Sequence, residues 1–383
     1  MCVHVQMINN KAITFDVREA TGKPAGVGRI ISSMIKAMQT IDPQREFVLV
    51  GDAPVGPSGI NGKYISIKSS GMLWHVNCAR IIKENPQWGT YISVRSPLVP
   101  IMVPERSVYF VNDLISFKYP QYFTLKTRIV ESLFVKLALK KVKNIVAISQ
   151  STARDIEELC PGAKSRTTVV PLAADPIFKI ILPDINILIK YGMKKPYILS
   201  VGTIEPRKNH VTLLKAYQDL PNTLRDKYDL VIVGKRGWKC GGIMKAINKG
   251  IKSGSVKYLE FISDNDLVHI YNGASLFVYP SLYEGFGLPV VEAMSCGVPT
   301  IISNNSSLPE VGGSAARYFD PYKPNQIADL MVNVLTDKTI SDQMSLDSIE
   351  YSRRFNWEKT AREIFNIIDG NYHNIKKKMG LDK

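Results

Sequence analysis

The chain has 383 residues, of which 45% are hydrophobic and 22% charged, a composition typical of a globular protein with two domains. This composition excludes a disordered or collagen-like chain. The five cysteines are scattered and form no C-x-x-C pair, so neither a disulfide framework nor a zinc site is indicated. The formal net charge of +15 favours anionic partners such as phosphorylated small molecules, acidic lipid surfaces or nucleic acid.

Sequence motifs and hydropathy reduce the number of possible partners and locations. The first residues lack a basic region followed by an apolar run, and no stretch approaches the roughly 18 apolar residues that span a bilayer. We therefore expect a cytoplasmic protein. No zinc-finger, RNA-binding aromatic or leucine-zipper pattern occurs, so no nucleic-acid partner is expected.

The first half of the chain alternates short β-rich runs with helical stretches. Such alternation predicts an α/β domain, a parallel sheet with helices on both faces, over residues 1–175. The predicted strands are residues 13–17, 46–51, 107–111, 144–149 and 167–172, and the predicted helices include 28–38 and 125–142.

A proline-containing segment without a clean period, residues 176–195, is predicted to be an interdomain linker. The alternation resumes in a second doubly wound domain, residues 196–355. Ligands of such sheets bind beyond the carboxyl ends of the strands, so a site in a cleft between the domains is expected. The predicted strands of this domain are residues 196–202, 229–234, 256–261, 275–281, 298–303 and 316–320.

The most informative segment is YPSLYEGFGLPVVEAMSCGVPTIIS, residues 279–303. A strand ends at Ser281, a glycine-containing loop follows, and Pro289 suits the first turn of a helix whose amides favour an anion. Glu284 in the loop and Glu292 in the helix are suited to accept hydrogen bonds from sugar hydroxyls beside a phosphate. The alternative is a surface loop followed by a solvated helical glutamate.

A second segment, SVGTIEPRKNHVTLL (200–214), places two cations at the start of a helix. Arg207 and Lys208 precede Asn209, the predicted helix cap. Because the dipole is already positive at a helix start, two cations are favourable there if a polyanion shares the site. The alternative is a solvated basic turn.

A third segment, AGVGR (25–29), begins like a dinucleotide-binding fingerprint, but Ile31 stands at the third glycine position. It is therefore interpreted as a loop that lets backbone approach a bound group, or as a plain tight turn. The five histidines are dispersed, and no H-E-x-x-H, G-x-S-x-G or P-loop motif occurs. No metal site is predicted.

Residues 125–143 combine basic and apolar side chains in one helical stretch. Either its apolar stripe packs on the sheet, or the helix makes peripheral contact with an anionic membrane. The residues concerned are Lys126, Arg128, Lys136, Lys140, Lys141 and Lys143 around Ile129, Leu133, Phe134 and Leu137.

Taken together, these segments resemble the retaining glycosyltransferases of family 4, which have the GT-B fold of two Rossmann-like domains facing across a cleft. EGFGLPVVE matches the family's E-x7-E motif, SVGTIEPRKN its diphosphate-binding loop, and NNSSLPEVGGSAARYFDP the motif after the next strand. AGVGR, VNDLISFKYP, VAISQSTARDI and VVPLAADPIF are similar to recurring segments of the first domain. FNWEKTAREIF resembles the closing helix, so residues 356–383 are predicted to cross back to the N-terminal domain.

The resemblance implies roles for the matching residues. Glu284 would hold the donor sugar's hydroxyls and, with Arg207 and Lys208 on the diphosphate, would form the catalytic centre. Glu292 would bind the ribose diol. The other implied donor-binding residues are Gly285, Phe286, Gly287, Leu288, Gly202, Thr203, Gly26, Gly28, Asn112 and Asp113.

Two positions depart from the family's pattern. Thr203 stands where many relatives have an arginine, so that Arg207 would carry more of the diphosphate's charge. Asn112 stands where many have a histidine near the transferred sugar. An asparagine can form hydrogen bonds but does not titrate near neutral pH.

The resemblance further implies a metal-independent hexosyltransferase that retains anomeric configuration and uses a nucleotide-diphosphate sugar as co-substrate, without another cofactor. The GTIEPRKN loop is similar to loops of bacterial mannosyltransferases of surface polysaccharides, which favours GDP-mannose and a glycan or lipid-linked acceptor. The alternatives are a non-catalytic nucleotide-sugar-binding protein and a GT-B epimerase or phosphorylase.

Overall fold

Two parallel sheets organise the chain. The computed structural model describes residues 12–22 and 26–370, with residues 126 and 127 as backbone only. One compact unit contains residues up to Leu172 together with those from Asn356 onward, and the other is Ala173–Phe355. Ala25 of the predicted glycine loop and residues 371–383 of the predicted closing segment lie outside the described residues.

The sheet of the first unit has the order β3-β2-β1-β4-β5-β6-β7 within the described residues, with every neighbouring pair parallel. Its inner strands are nearly continuous apolar runs because helices cover both faces. The strands are β1 (Ile13–Asp16), β2 (Phe47–Gly51), β3 (Lys63–Ser66), β4 (Thr90–Ser93), β5 (Ser107–Val111), β6 (Asn144–Ala147) and β7 (Thr167–Val169).

Several helices of the first unit contribute buried apolar side chains to its core. The C-terminal helix α16 belongs to this unit and packs against α1. The helices are α1 (Val27–Ile41), α2 (Gly71–Glu84), α3 (Leu98–Met102), α4 (Ile115–Lys118), α5 (Leu125–Lys141), α6 (Gln150–Leu159) and α16 (Trp357–Ile368).

The sheet of the second unit is also parallel, with the order β10-β9-β8-β11-β12-β13. This is the 3-2-1-4-5-6 order of a doubly wound nucleotide-binding domain, whose order reverses between β8 and β11. The doubly wound α/β prediction is therefore confirmed for each unit. The strands are β8 (Tyr197–Val201), β9 (Asp229–Val233), β10 (Val256–Leu259), β11 (Leu276–Tyr279), β12 (Thr300–Ser303) and β13 (Arg317–Phe319).

Several helices of the second unit begin at side-chain caps. Ser263 accepts a hydrogen bond from the amide of Asp266, and Asp337 accepts one from the amide of Ile340. The helices are α7 (Ile185–Lys190), α8 (His210–Gln218), α9 (Asn222–Lys227), α10 (Gly241–Lys252), α11 (Asp264–Asn272), α12 (Leu288–Ser295), α13 (Leu308–Gly312), α14 (Pro324–Thr336) and α15 (Lys338–Ser352).

The segment predicted as an interdomain linker, residues 176–195, is part of the second unit. It contains α7, and its backbone is fixed to α11: the amide of Ile181 donates to Asn272 Oδ1 at 2.9 Å, and the amide of Asp184 donates to His269 Nδ1 at 3.0 Å. These long-range bonds give the segment's amides partners that its own irregular backbone does not supply.

Among the helices of residues 12–22 and 26–370, none combines the length and apolar character needed to cross a bilayer.

Candidate active site

The carboxyl edge of the second sheet brings together four loops. They follow β8, β9, β11 and β12 and comprise residues 202–208, 234–237, 280–287 and 304–307. Because parallel strands all end at the same edge, loops that are distant in the sequence become neighbours there. Most of the predicted site residues lie in these loops or at the start of the following helix.

The loops after β8 and β9 approach each other closely at Gly234. The amide of Ile204 donates to Lys235 O at 2.9 Å, and the amide of Gly237 donates to Ile204 O at 3.0 Å. A Cβ on Gly234, whose φ is +156°, would lie 1.9 Å from Gly202 O. Only a glycine allows this approach, so Gly234 fixes the backbone at Gly202 and Thr203. The sequence motifs did not single out Gly234.

Arg207 and Lys208 lie in a 3-10 turn, Pro206–Lys208, before α8. Asn209 is the N-cap residue of α8, as predicted, in a left-handed conformation (φ 57°). Its Oδ1 accepts from the hydroxyl of Thr212 at 2.7 Å, and no amide of the first turn donates to it. Its Nδ2 donates to Pro321 O at 2.7 Å, which anchors this turn to the loop after β13.

The side chain of Glu284 is surrounded by donors from its own domain. Arg207 Nη1 donates to Oε2 at 2.6 Å, and Lys208 Nζ donates to Oε1 at 2.6 Å. The hydroxyls of Ser281 and Tyr279 also donate to Oε1, at 2.6 and 3.0 Å. Glu284, which was predicted to bind the donor sugar, therefore binds Arg207 and Lys208 in this structure, the two residues predicted to bind the diphosphate.

The electrostatics of this buried cluster follow from its geometry. Burial alone would raise the pKa of Glu284, but the charges of Arg207 and Lys208 outweigh it and lower that pKa to about 2. Burial lowers the pKa of Lys208, and the adjacent Arg207 lowers it further. Glu205 balances Arg207, accepting from its Nε at 2.8 Å. Ion pairs and hydrogen bonds thus link these four side chains in one cluster.

The backbone of the Glu284 loop is fixed by the loop after β12. The amide of Glu284 donates to Ser306 Oγ at 2.9 Å. Ser307 Oγ donates to Glu284 O at 3.0 Å and to Phe286 O at 2.7 Å. The ring of Phe286 packs edge-on against Phe355, with centroids 5.5 Å apart. Phe286 and the neighbouring Gly285 are buried, so their side of the loop contacts protein.

The start of α12 presents the positive end of a helix at the same edge. Gly287 precedes it with φ 113°, a conformation that favours glycine. The amide of Val290 already donates to Gly287 O at 2.9 Å, and Pro289 has no N–H. Of the first three residues of α12, only Leu288 has an amide N–H for which no hydrogen bond to the helix's own backbone is expected. Its role toward an anion stays a prediction.

Glu292 lies one turn into α12 and is 2% exposed. The hydroxyl of Tyr271 donates to its Oε2 at 2.8 Å, and Tyr271 packs edge-on against Phe178. The structure thus places the second glutamate of the E-x7-E motif beneath the surface. Its role toward a ribose stays a prediction.

The site residues predicted in the first unit are separated from one another along its sheet. Gly26 precedes α1 with φ 46°, and Gly28 is buried inside α1. Asn112 directly follows β5, where its Nδ2 donates to Val94 O and its Oδ1 is buried without a hydrogen-bond partner. Asp113 Oδ1 accepts from the amide of Ile115 at 3.2 Å, which begins α4. Their roles stay predictions.

A polar cluster of the first unit was missed by the sequence analysis. Arg18 forms a two-pronged hydrogen bond with Asp16 at the end of β1, at 3.0 and 2.7 Å, and lies over the ring of Trp74. Its Nη2 also lies 3.2 Å from Nε2 of His75, whose Nδ1 faces Gly71 O. Burial, then the charge of Arg18, lowers the pKa of His75. No motif signals residues so far apart.

Within the described residues, no group of three or more His, Cys, Asp or Glu side chains is arranged to hold a metal ion.

Comparison with known proteins decides the family. O-antigen chain mannosyltransferase B of Escherichia coli is 35% identical over 266 residues, which cover 68% of this chain and 70% of that protein. The chain belongs to the group 1 glycosyl transferases. The family model described as "Glycosyl transferases group 1" matches residues 189–355, the segment that contains the loops described above.

A second relative of this group 1 glycosyl transferase is the serotype-specific mannosyltransferase WbdA of Escherichia coli. It is 34% identical over 271 residues, which cover 68% of this chain but 33% of WbdA. The chain therefore spans about a third of that protein's length.

Solved structures share the fold of this group 1 glycosyl transferase. Sucrose-phosphate synthase from Thermosynechococcus elongatus matches with a TM-score of 0.77 over 95% of this chain and 100% of that one, at 17% identity. HepE of Anabaena in complex with UDP-glucose matches with a TM-score of 0.73 over 94% and 100%, also at 17% identity. At these identities the likeness shows the fold alone, and the prediction of a GT-B glycosyltransferase is confirmed.

Proposed function

We propose that this glycosyltransferase moves a hexose from a nucleotide-diphosphate sugar to a glycan or lipid-linked acceptor, with retention and without a metal ion. The observation that carries the proposal is the ion-paired group of the half-buried Arg207 and the buried Lys208 and Glu284 beside the start of α12. Two fixed cations and a helix start at one sheet edge suit a diphosphate.

In this proposal the diphosphate replaces Glu284 as the partner of the two cations. In this structure Arg207 and Lys208 lie 2.6 Å from the Glu284 carboxylate, which the donor's phosphates displace on binding because they carry more negative charge. The carboxylate of Glu284, released from the cations but still held by Tyr279 and Ser281, can accept hydrogen bonds from the sugar hydroxyls. Donor binding and sugar positioning are thereby coupled through one side chain.

The same cations assist bond cleavage. As the bond between the sugar's anomeric carbon and the β-phosphate oxygen breaks, negative charge grows on the leaving diphosphate. Arg207, Lys208 and the Leu288 amide are placed to stabilise that charge. We assign no protein nucleophile. The acceptor hydroxyl attacks the anomeric carbon from the face that the diphosphate leaves, which retains the configuration. The new C–O bond forms as the bond to the β-phosphate oxygen breaks, and the hydroxyl proton passes to that leaving oxygen.

The relatives support the choice of donor and acceptor. Two of them carry the name mannosyltransferase, and one is an O-antigen chain enzyme, so we propose GDP-mannose as the donor and a growing surface polysaccharide as the acceptor. Because the HepE structure contains UDP-glucose, UDP-sugars are the donors with which GDP-mannose should be compared.

The test is a thermal-shift and transfer screen with GDP-mannose, UDP-glucose and other nucleotide sugars. We expect GDP-mannose to raise the melting temperature most, since a ligand that binds the folded state stabilises it by mass action. Transfer should continue in EDTA, and NMR of the product should show the donor's anomeric configuration. Transfer that stops in EDTA and returns with a divalent ion would contradict the metal-independent mechanism.

The variant Glu292→Gln tests the ribose assignment. Glutamine keeps the volume and can still accept from Tyr271, while it loses the charge that strengthens hydrogen bonds to the ribose diol. We expect donor affinity to fall about tenfold or more, with little change in melting temperature without donor. Glu350→Gln, on the exposed side of α15, is the matched control. Unchanged donor affinity in Glu292→Gln would remove Glu292 from the donor site.

A further inference from the structure

A hollow of about 470 Å³ lies at the amino edge of the second sheet, between the ends of α8 and α10, the short helix α9 and the start of β10. We call it the α8–α10 hollow. Its volume is within the range of about 300–1,000 Å³ that is typical of ligand sites. The donor loops are at the other end of the strands. Because β9 has five residues, at about 3.3 Å each, roughly 16 Å of sheet separates the hollow from the loop after β9.

The floor of the α8–α10 hollow is apolar and fixed. It is formed by Leu214 and Tyr217 of α8 and by Val256 of β10, all of them buried. The hydroxyl oxygen of Tyr217 lies 2.7 and 3.2 Å from two backbone carbonyl oxygens, so its hydrogen-bonding capacity is used within the protein. A Cβ on Gly250 of α10 would lie 2.6 Å from Val256 Cγ2, so a glycine allows α10 to approach β10 this closely. The hollow is therefore formed by the packing of the domain itself.

Polar side chains with unused hydrogen-bonding capacity surround this floor. Among the described residues, the one hydrogen bond or ion pair that these side chains form runs from Arg225 Nη2 to Asn222 Oδ1. On a convex surface such side chains would simply be solvated. Around one hollow their donors and acceptors converge on the same space. The side chains concerned are Gln218, Asn222, Arg225, Asp226 and Lys249.

The charges around the hollow favour a neutral ligand over an anion. Arg225 and Lys249 are positive and Asp226 is negative. In addition, α8 and α10 end at the hollow, and each helix end is equivalent to roughly −0.5 elementary charge. The two cations are thus offset by one carboxylate and two helix ends. A sugar hydroxyl both donates and accepts hydrogen bonds, which matches this mixture of cations, carboxylate and amides.

We propose that the α8–α10 hollow binds a neutral oligosaccharide, a segment of the glycan acceptor remote from its reacting end. That the oligosaccharide belongs to the acceptor rests on the proposed function, whereas its recognition rests on the hollow alone. A glycan bound at two places on one protein stays at a high effective concentration at the second place when the first lets go. The hollow therefore makes the enzyme favour long acceptors over short ones.

The first test is isothermal titration of the full chain with a mannose tetrasaccharide, without donor. The double variant Asp226→Ala/Lys249→Ala should bind it about tenfold more weakly, because hydrogen bonds between charged groups and sugar hydroxyls are lost. Both side chains are exposed, so the melting temperature should not change. Inorganic phosphate should not displace the tetrasaccharide.

The matched control is Asp219→Ala/Lys245→Ala. These exposed residues follow α8 and lie on α10 but do not line the hollow, so the variant removes the same two charges nearby. It should bind the tetrasaccharide like the unaltered protein.

The second test compares acceptors of two lengths in the transfer assay with GDP-mannose. We expect Asp226→Ala/Lys249→Ala to raise KM for the tetrasaccharide about tenfold and to leave its kcat and both constants for the disaccharide unchanged. A failure of transfer with every nucleotide sugar would contradict the proposed function, while the titration would still decide whether the hollow binds oligosaccharide.

Three results would overturn the inference about the hollow. The first is equal affinity for the tetrasaccharide in Asp226→Ala/Lys249→Ala and in its control. The second is displacement of the tetrasaccharide by inorganic phosphate, which would make the hollow an anion site. The third is an equal change of KM for the tetrasaccharide and the disaccharide, since the variant would then act on the reacting end of the acceptor.

Discussion

Glu284 is the residue on which the candidate site depends. Its carboxylate joins the loop after β11 to Arg207 and Lys208 in the turn after β8. Lys208 is buried, and a buried ammonium is tolerated only with a paired charge. The same carboxylate therefore stabilises the empty site and, in our proposal, serves the donor sugar once the phosphates have taken over the cations.

Replacing Glu284 with glutamine should destabilise the protein even without donor. Removing one partner of a buried ion pair costs about 3 kcal/mol, because Lys208 stays buried without its counter-charge. The folded-state pKa of Glu284, about 2, is below its ordinary value of 4.5, so this stabilisation is present above pH 4.5 and is lost as the pH falls toward 2. Urea unfolding at several pH values measures the difference in free energy of unfolding between Glu284→Gln and the unaltered protein.

The control for this measurement is Glu350→Gln, which changes an exposed carboxylate of the same domain. Its stability should match the unaltered protein at every pH. If Glu284→Gln lost no unfolding free energy at neutral pH, or if its loss grew on acidification, the ion cluster would not be what stabilises the fold.

Gly234 offers a second test at the residue scale. A methyl group there would meet the backbone of Gly202, which cannot move without displacing the 202–208 loop. We expect Gly234→Ala to lower the transfer rate about 100-fold, as a misplacement of catalytic groups by about 1 Å does. Gly241→Ala is the control, because its added methyl group has no atom within 4 Å. Transfer assays, with circular dichroism to verify folding, decide; equal rates would mean that the loop tolerates the shift.

The sequence predicted the residues of this site better than their contacts. The E-x7-E segment and the basic turn lie in adjoining loops of one sheet edge, as a doubly wound domain requires. Tyr279, Ser281 and Ser306 were not predicted to hold Glu284. Their hydroxyls acquire this role only through packing of loops, which no local pattern encodes.

At the scale of elements, strands were predicted where apolar runs are long enough to be distinguished from loops. In the described residues, β3 and β4 are the strands that the patterns did not indicate. Neither shows a continuous apolar run, because β3 is a partly exposed edge strand and β4 begins and ends with hydroxyl residues. α7 was missed as well, because a six-residue helix among prolines shows no clear periodicity.

Helix α16 is part of the core of the first unit. Substitution of one of its buried side chains tests how much the helix contributes to the free energy of unfolding. Ile364 is 0% exposed on the helix that packs against α1. Ile364→Ala should reduce the free energy of unfolding by about 2–5 kcal/mol, because it leaves a cavity between these helices. Lys359→Ala, exposed on the same helix, should change it little. Chemical denaturation measures both; equal values would mean that α16 is dispensable to this core.

At the scale of the whole molecule, alternation of strands and helices sufficed to predict two doubly wound domains. The first domain was predicted to end at residue 175, and the first segment of the first unit ends at Leu172. Residues 176–195, interpreted as a linker because they lack a period, pack on α11 within the second unit. The net charge of +15 favoured anions without locating them. The structure shows two groups of cations: Arg207 and Lys208, paired with Glu284 at the second sheet, and an exposed set along α5.

At Asn356 the chain returns from the second unit to the first, and this determines how the protein can be divided for expression. The second unit is continuous in the gene, so a single fragment from Ala173 to Phe355 encodes all of its strands and helices. The first unit is encoded in two pieces, and a fragment that stops at Leu172 would expose the apolar side of α1. Joining Leu172 to Asn356 through a short glycine-serine bridge would return α16 to α1 and encode the first unit in one fragment.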